Sequence, residues 1–480
     1  MRGRLSPKLV VSIVYVTAMF MAALDGTIVN IALADLSHEF QISPAATSGI
    51  NVGYLVSITV FLPMAGWLGD RFGTKRMFLI ALSLFTFASV LCGTADRLET
   101  LNVFRVIQGA GGGLLTPLGM TMLFRTFPPE ERLKVSRSLV FPIAVAPALG
   151  PVIGGFLVEQ FSWRWVFYIN LPFGLAALLF GLLFLNEHKE TAAGKLDLPG
   201  ILLSAPGFSL LMYALIQGSA TGWSSPLLGG AALGGILLIC ALIFVELRVQ
   251  QPMLDFRLLS ERLFRTMSII SCFVAAGLIG MLFIFPLMYQ NALQASAWES
   301  GLIIFPEALG LMLASRVMPW SCKRLGARLV IFLGLFCTMV IFGLLSLAGP
   351  ATNPWLLRVL FFHAGFFLGH SVGAVQVLTF QHITVASMGR ATTLFNVQNR
   401  LGSALGVAAL ASLLGAVGGA AGDGQNLLAA YRLALLGSAA FLLAALCVTL
   451  GIRKADVEAA MPRPQPAKPL DLAPVMKVGE

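Results

Sequence analysis

The chain has 480 residues, of which 57% are hydrophobic and only 11% charged, with a formal net charge of +10. Its mean hydropathy is +0.86. Soluble chains carry about 25% charged residues, so a soluble enzyme, a disordered chain and a disulfide-stapled domain are excluded, and a polytopic membrane protein remains. The excess of 32 Lys and Arg over 22 Asp and Glu implies no nucleic-acid partner, because basic residues collect in the cytoplasmic loops of membrane proteins.

Apolar runs long enough to cross a bilayer core predict fourteen helices. They lie near 9–34, 48–68, 77–95, 101–124, 138–158, 165–186, 198–218, 227–246, 266–290, 299–320, 328–348, 355–380, 394–418 and 429–451. The first follows Arg2, Arg4 and Lys8, and Ala32-Leu33-Ala34 imitates a cleavage site. It is nevertheless too long for a signal peptide, and Asp25 interrupts it. All the runs exceed the length of a barrel strand, so the expected fold is all-α.

With the N-terminus inside, the inner segments hold 25 of the 32 Lys and Arg. Arg97, Arg164, Arg358 and Arg432 lie outside, and Arg105, Arg316 and Arg400 fall within the runs. This asymmetry puts both termini in the cytoplasm. The helices group as six, two and six: residues 1–190, an extra pair with its linker over 191–262, and 263–454, followed by a Pro- and Ala-rich tail over 455–480 that is expected to be disordered. A weak repeat supports the grouping. Arg71-Phe72-Gly73 after helix 2 returns as Arg324-Leu325-Gly326 after helix 10. Two six-helix halves around a central site are a known transporter plan.

The loop Gly66-Trp67-Leu68-Gly69-Asp70-Arg71-Phe72-Gly73-Thr74-Lys75-Arg76 resembles the signature between helices 2 and 3 of the major facilitator superfamily. Its glycines permit a tight turn. Asp70 is placed to pair with an arginine or a helix N-terminus of the opposite gate. In the second-half copy, Lys323 replaces the acid. The resemblance narrows to the fourteen-helix drug:proton antiporters. Leu24-Asp25-Gly26-Thr27 through Asn30 is similar to their helix 1 signature, and Arg105 through Gln108 and Gly113 to that of helix 4. Gly150-Pro151-Val152-Ile153-Gly154-Gly155 matches their helix 5 motif, and the stretch from Trp163 through Asn170 to Gly174 matches the start of helix 6. The resemblance implies gating roles for Gly66, Asp70, Arg71, Gly73, Arg76, Gly150, Pro151, Gly154 and Gly155. It also implies a bacterial plasma membrane location.

A charge at membrane depth is costly unless paired or hydrated, which marks it as functional. Asp25 lies roughly 15 Å deep, Arg105 roughly 8 Å and Glu307 roughly 12 Å, all from the outer side, at 1.5 Å per residue. Desolvation raises a carboxyl pKa and a nearby arginine lowers it. Asp25 with Arg105 is therefore the candidate proton carrier, and a permanent structural brace is the alternative reading of the pair. Glu307, Asn30, Gln108, His363 and His370 are candidates for substrate binding. Glu307 could equally be a partner of Arg316, and the two histidines could be ordinary helix–helix contacts.

The six cysteines lack metal or disulfide spacing, and Gly111-Gly112-Gly113 lacks the lysine of a nucleotide loop. No cofactor, metal or catalytic activity is expected. The partners expected are protons, a small molecule and the bilayer, with no evident docking arm for an adaptor protein. The resulting expectation is a proton-coupled exporter of amphipathic, often cationic, small molecules working by alternating access. The same machinery fits export of one endogenous metabolite, antibiotic or lipid. An uncoupled facilitator fits less well with Asp25 and the helix 5 motif.

Overall fold

The computed structural model describes residues 6–41, 48–127, 131, 146, 149–150, 152–187, 197–221, 224–250, 252–384, 387–418 and 424–452. Among these the regular structure is entirely helical. The first six membrane helices are α1 (Pro7–Glu39), α2 (Ser48–Phe61, then Leu62–Met64 and Ala65–Phe72), α3 (Thr74–Gly93), α4 (Leu98–Thr126), α5 (described over 152–160) and α6 (Trp165–Tyr168 and Asn170–Phe184). Next come α7 (Leu198–Thr221) and α8 (Pro226–Glu246). Then follow α9 (Arg262–Leu287), α10 (Ala297–Leu325), α11 (Ala327–Ser346), α12 (Pro354–Thr379), α13 (Met388–Gly418) and α14 (Gly424–Leu450).

The fourteen expected helices therefore all have counterparts. Ten are long and apolar enough to cross a membrane. Of the others, α2 is broken into a short 3-10 turn at Pro63. Helices α4 and α13 carry charged and amide side chains, and α5 is described only in part. The helix ends have local causes. Ser296 and Glu299 cap α10 reciprocally, Ser296 Oγ accepting from Glu299 N at 3.1 Å and Glu299 accepting from Ser296 N at 2.9 Å. The repeated glycines Gly73 and Gly326 sit at φ +101° and +81°, where side-chain-bearing residues are strained. Each ends one helix and starts the next, so the sequence repeat is a repeat of turn geometry.

One set of apolar cores is drawn from α1–α6, and a separate one from α9–α14. Helix α7 is not wholly peripheral. It packs on both α2 and α13. Leu62 of the α2 break, Phe208 of α7, Leu242 of α8 and Val397 of α13 share one cluster. Helix α8 packs on α7 and turns Leu227, Leu233, Leu237 and Phe244 outward.

The closest helix pair is α10 with α12. A Cβ at Gly365 would strike the Glu307 carbonyl, and one at Gly310 would strike Phe362 O. Gly365→Ala should therefore lower the melting temperature of the detergent-purified protein. Gly343→Ala on α11, where a Cβ would meet nothing within 4 Å, should leave it unchanged or raise it slightly, as alanine favours the helix by up to about 1 kcal/mol. Thermal unfolding of both variants checks this.

Candidate functional site

Asp25 is completely buried in the middle of α1. Its carboxylate accepts from Arg105 Nη1 at 2.8 Å on one oxygen. The other oxygen accepts from Gln108 Nε2 and Asn170 Nδ2, each at 2.9 Å. Arg105 Nη1 also donates to Gln108 Oε1 at 2.9 Å. Arg105 and Gln108 are three residues apart on α4, which puts both on the face toward α1. Asn170 opens the second segment of α6, and its amide also donates to Ser89 Oγ of α3 at 3.0 Å. Ser89 in turn donates to the Phe167 carbonyl at 2.9 Å. The Arg105 guanidinium stacks 4.1 Å from the centre of the Tyr54 ring of α2. Five helices thus meet at one carboxylate.

Glycines make that convergence possible. A Cβ at Gly109 would press on Tyr54 O, one at Gly113 on Ile58 O, and one at Gly111 on Ala81 O. The glycine run of α4 is therefore a packing seam against α2 and α3. Gly150 of the helix 5 motif lies against Thr27 and Ile28, just past Asp25. Gly154 is buried and Gly155 has open space beside it. Pro151 and the Asn30 side chain lie outside the described residues.

The charge network is not saturated. Arg105 Nε and Asn170 Oδ1 are buried without a hydrogen-bond partner among the described residues. A buried pair tolerates loss of one partner poorly, at a cost of about 3–5 kcal/mol, because the remaining charge is stranded.

The remaining expected site residues are dispersed. Asp70 pairs with Arg125 Nη2 of α4 at 2.9 Å, a contact between neighbouring helices α2 and α4. Arg125 Nη1 also reaches Thr74 Oγ1 at 2.9 Å. The Glu187 carboxylate accepts from the backbone N–H of Lys75 and Arg76 at 3.0 Å each, capping the start of α3 from the end of α6. A Cβ at Gly73 would run into that carboxylate. Gly66 has open space around it, and Arg71 lies in the last turn of the Ala65–Phe72 segment. Glu307 is half-buried, and among the described residues neither Arg316 nor any other cation pairs with it. His370 is buried, with Nε2 3.3 Å from Ser321 Oγ of α10. His363 is exposed, with Nδ1 at 2.8 Å from the Val359 carbonyl of its own helix.

Sequence reasoning missed Asn170, Ser89 and Tyr54 as members of the Asp25 cluster. Asn170 carried a signal, being an amide at the mouth of an apolar helix. Ser89 and Tyr54 are unremarkable in sequence and join only through packing.

The chain matches the Major Facilitator Superfamily over residues 15–407 and belongs to it; this is a family of transporters, not enzymes. It is 32% identical over 328 residues to the "Uncharacterized MFS-type transporter YhcA" of Bacillus subtilis, covering 68% of this chain and 62% of that protein. It is 30% identical to the "Multidrug resistance protein B homolog" of Mycobacterium tuberculosis, covering 84% of this chain and 75% of that one. The human organic anion transporter MFSD10 (TETRAN) shares its fold at a TM-score of 0.66 and 14% identity, covering 93% of this chain and 100% of that one.

Arg105→Gln should destabilise the protein strongly, whereas Asp25→Asn with Arg105→Gln should be milder than the single change. A double-mutant cycle on thermal unfolding reads the difference.

Proposed function

We propose that the chain is a proton-coupled exporter of amphipathic, often cationic, small molecules. Residues 1–190 and 263–454 would be two bundles rocking about a central site, with 191–262 as an inserted pair and linker. Both termini would lie on the cytoplasmic side of a bacterial inner membrane. The relative named a multidrug resistance protein supports drug-like cargo. The observation that carries proton coupling is the fully buried Asp25 carboxylate, held by one cation and two amide donors from two other helices.

The chemistry follows from those contacts. Ionised Asp25 satisfies Arg105, Gln108 and Asn170 together. Protonation removes the charge that holds Arg105. It also turns one carboxyl oxygen into a donor facing amide donors, so Gln108 and Asn170 must find other acceptors. The protonated and ionised forms therefore favour different arrangements of α1, α4 and α6. A proton that shifts such an equilibrium can drive a two-state carrier. Glu307, with no cation partner among the described residues, supplies a counter-charge for a cationic cargo in the second half.

Purified protein in liposomes under an imposed pH gradient tests this reading. Wild type should show proton flux that depends on added lipophilic cation. Asp25→Asn should fall to the rate of empty liposomes while still inserting normally. Gradient-driven transport retained by that variant would overturn the role. Glu307→Gln should raise KM for cations about tenfold, equivalent to about 1.4 kcal/mol. Reporter fusions at each terminus check the topology.

A further inference from the structure

Arg400 is the one cation within the apolar run of α13, and the mechanism above leaves it unused. It lies about six residues inside the apolar run that begins near 394, or about 9 Å along the axis. Among the described residues it has no acid partner. Its side chain is exposed. The neighbours of α13 fix the direction it faces. Val397 and Leu401 touch the α2 break and α7. Asn399 accepts from Ser271 of α9 at 2.8 Å, and Gly402 and Gly406 lie against the α9 carbonyls of Cys272 and Ala276. Leu405, 45% exposed, marks the outward face.

At 100° per residue, Arg400 lies between the α2-facing and α9-facing sides, more than a third of a turn from Leu405. It therefore opens into the space between the two sets of helices. Asn396 and Ser403, one turn to either side, share that face. The Tyr54 phenol, which stacks on Arg105, lies within electrostatic reach of the Arg400 guanidinium.

An unpaired guanidinium at this depth is expensive unless an anion or water completes it. Its fork matches a carboxylate bidentately. Resting on the exporter reading, we infer that Arg400 is an anion subsite of the cargo cavity, and that the cargo includes amphipathic molecules bearing a carboxylate.

The test is binding to the detergent-purified full chain with no gradient, so that loss of coupling does not affect it. Two matched fluorescent probes are used, dansylglycine with a carboxylate and N-dansylethylenediamine with an ammonium. Arg400→Gln should weaken dansylglycine about tenfold or more, the scale of losing a charge-assisted bidentate contact. The ammonium probe measured on the same sample should stay within about twofold. Arg400→Lys keeps the charge without the fork, and should bind dansylglycine at an intermediate strength. Equal weakening of both probes would overturn the subsite in favour of a structural role, and so would unchanged binding of both. Wild type that binds the ammonium probe but not dansylglycine would also overturn it. The exporter reading fails separately, on absent proton flux in liposomes.

Discussion

A carboxylate and a guanidinium inside an apolar bundle each carry a desolvation penalty of several kcal/mol, which their mutual attraction and further hydrogen bonds must offset. The Asp25–Arg105 pair imposes that requirement on the first half of the chain. Gln108 and Asn170 complete the solvation of the acid. Tyr54 covers the face of the guanidinium. The glycines of α4 let α2 and α3 approach closely enough to exclude water. The helix arrangement there is thus organised around one charge, and a change of that charge is felt in five helices at once.

The second half is built on a different principle. Its packing is apolar and tight, with backbone against backbone where α10 meets α12. Two of its charged groups within the apolar runs, Glu307 and Arg400, are not paired with each other or with another ion among the described residues.

Much of this was legible in the sequence. Hydropathy found the helices because a bilayer fixes their length, and the Arg-x-Gly repeat marked two turns that share a left-handed glycine. Asp25 and Arg105 stood out because charge within an apolar run is conspicuous. What stayed hidden was which helices become neighbours. Asp70 carries a gate-like motif, yet its arginine comes from α4 of its own half. His363 and His370 are seven residues apart, yet one is exposed and the other touches Ser321. Sequence spacing fixes the face of a single helix but not what covers that face.

The placement of α7 has a mechanical consequence. It touches α2 and α13 through Leu62, Phe208 and Val397, side chains with no directional bonds to break. Dispersion contacts of this kind can be exchanged one for another as surfaces slide, at little net cost. Hydrogen bonds across the same seam would instead lock it in one register. In the proposed rocking cycle, α7 would therefore act as a greased bearing between α2 and α13.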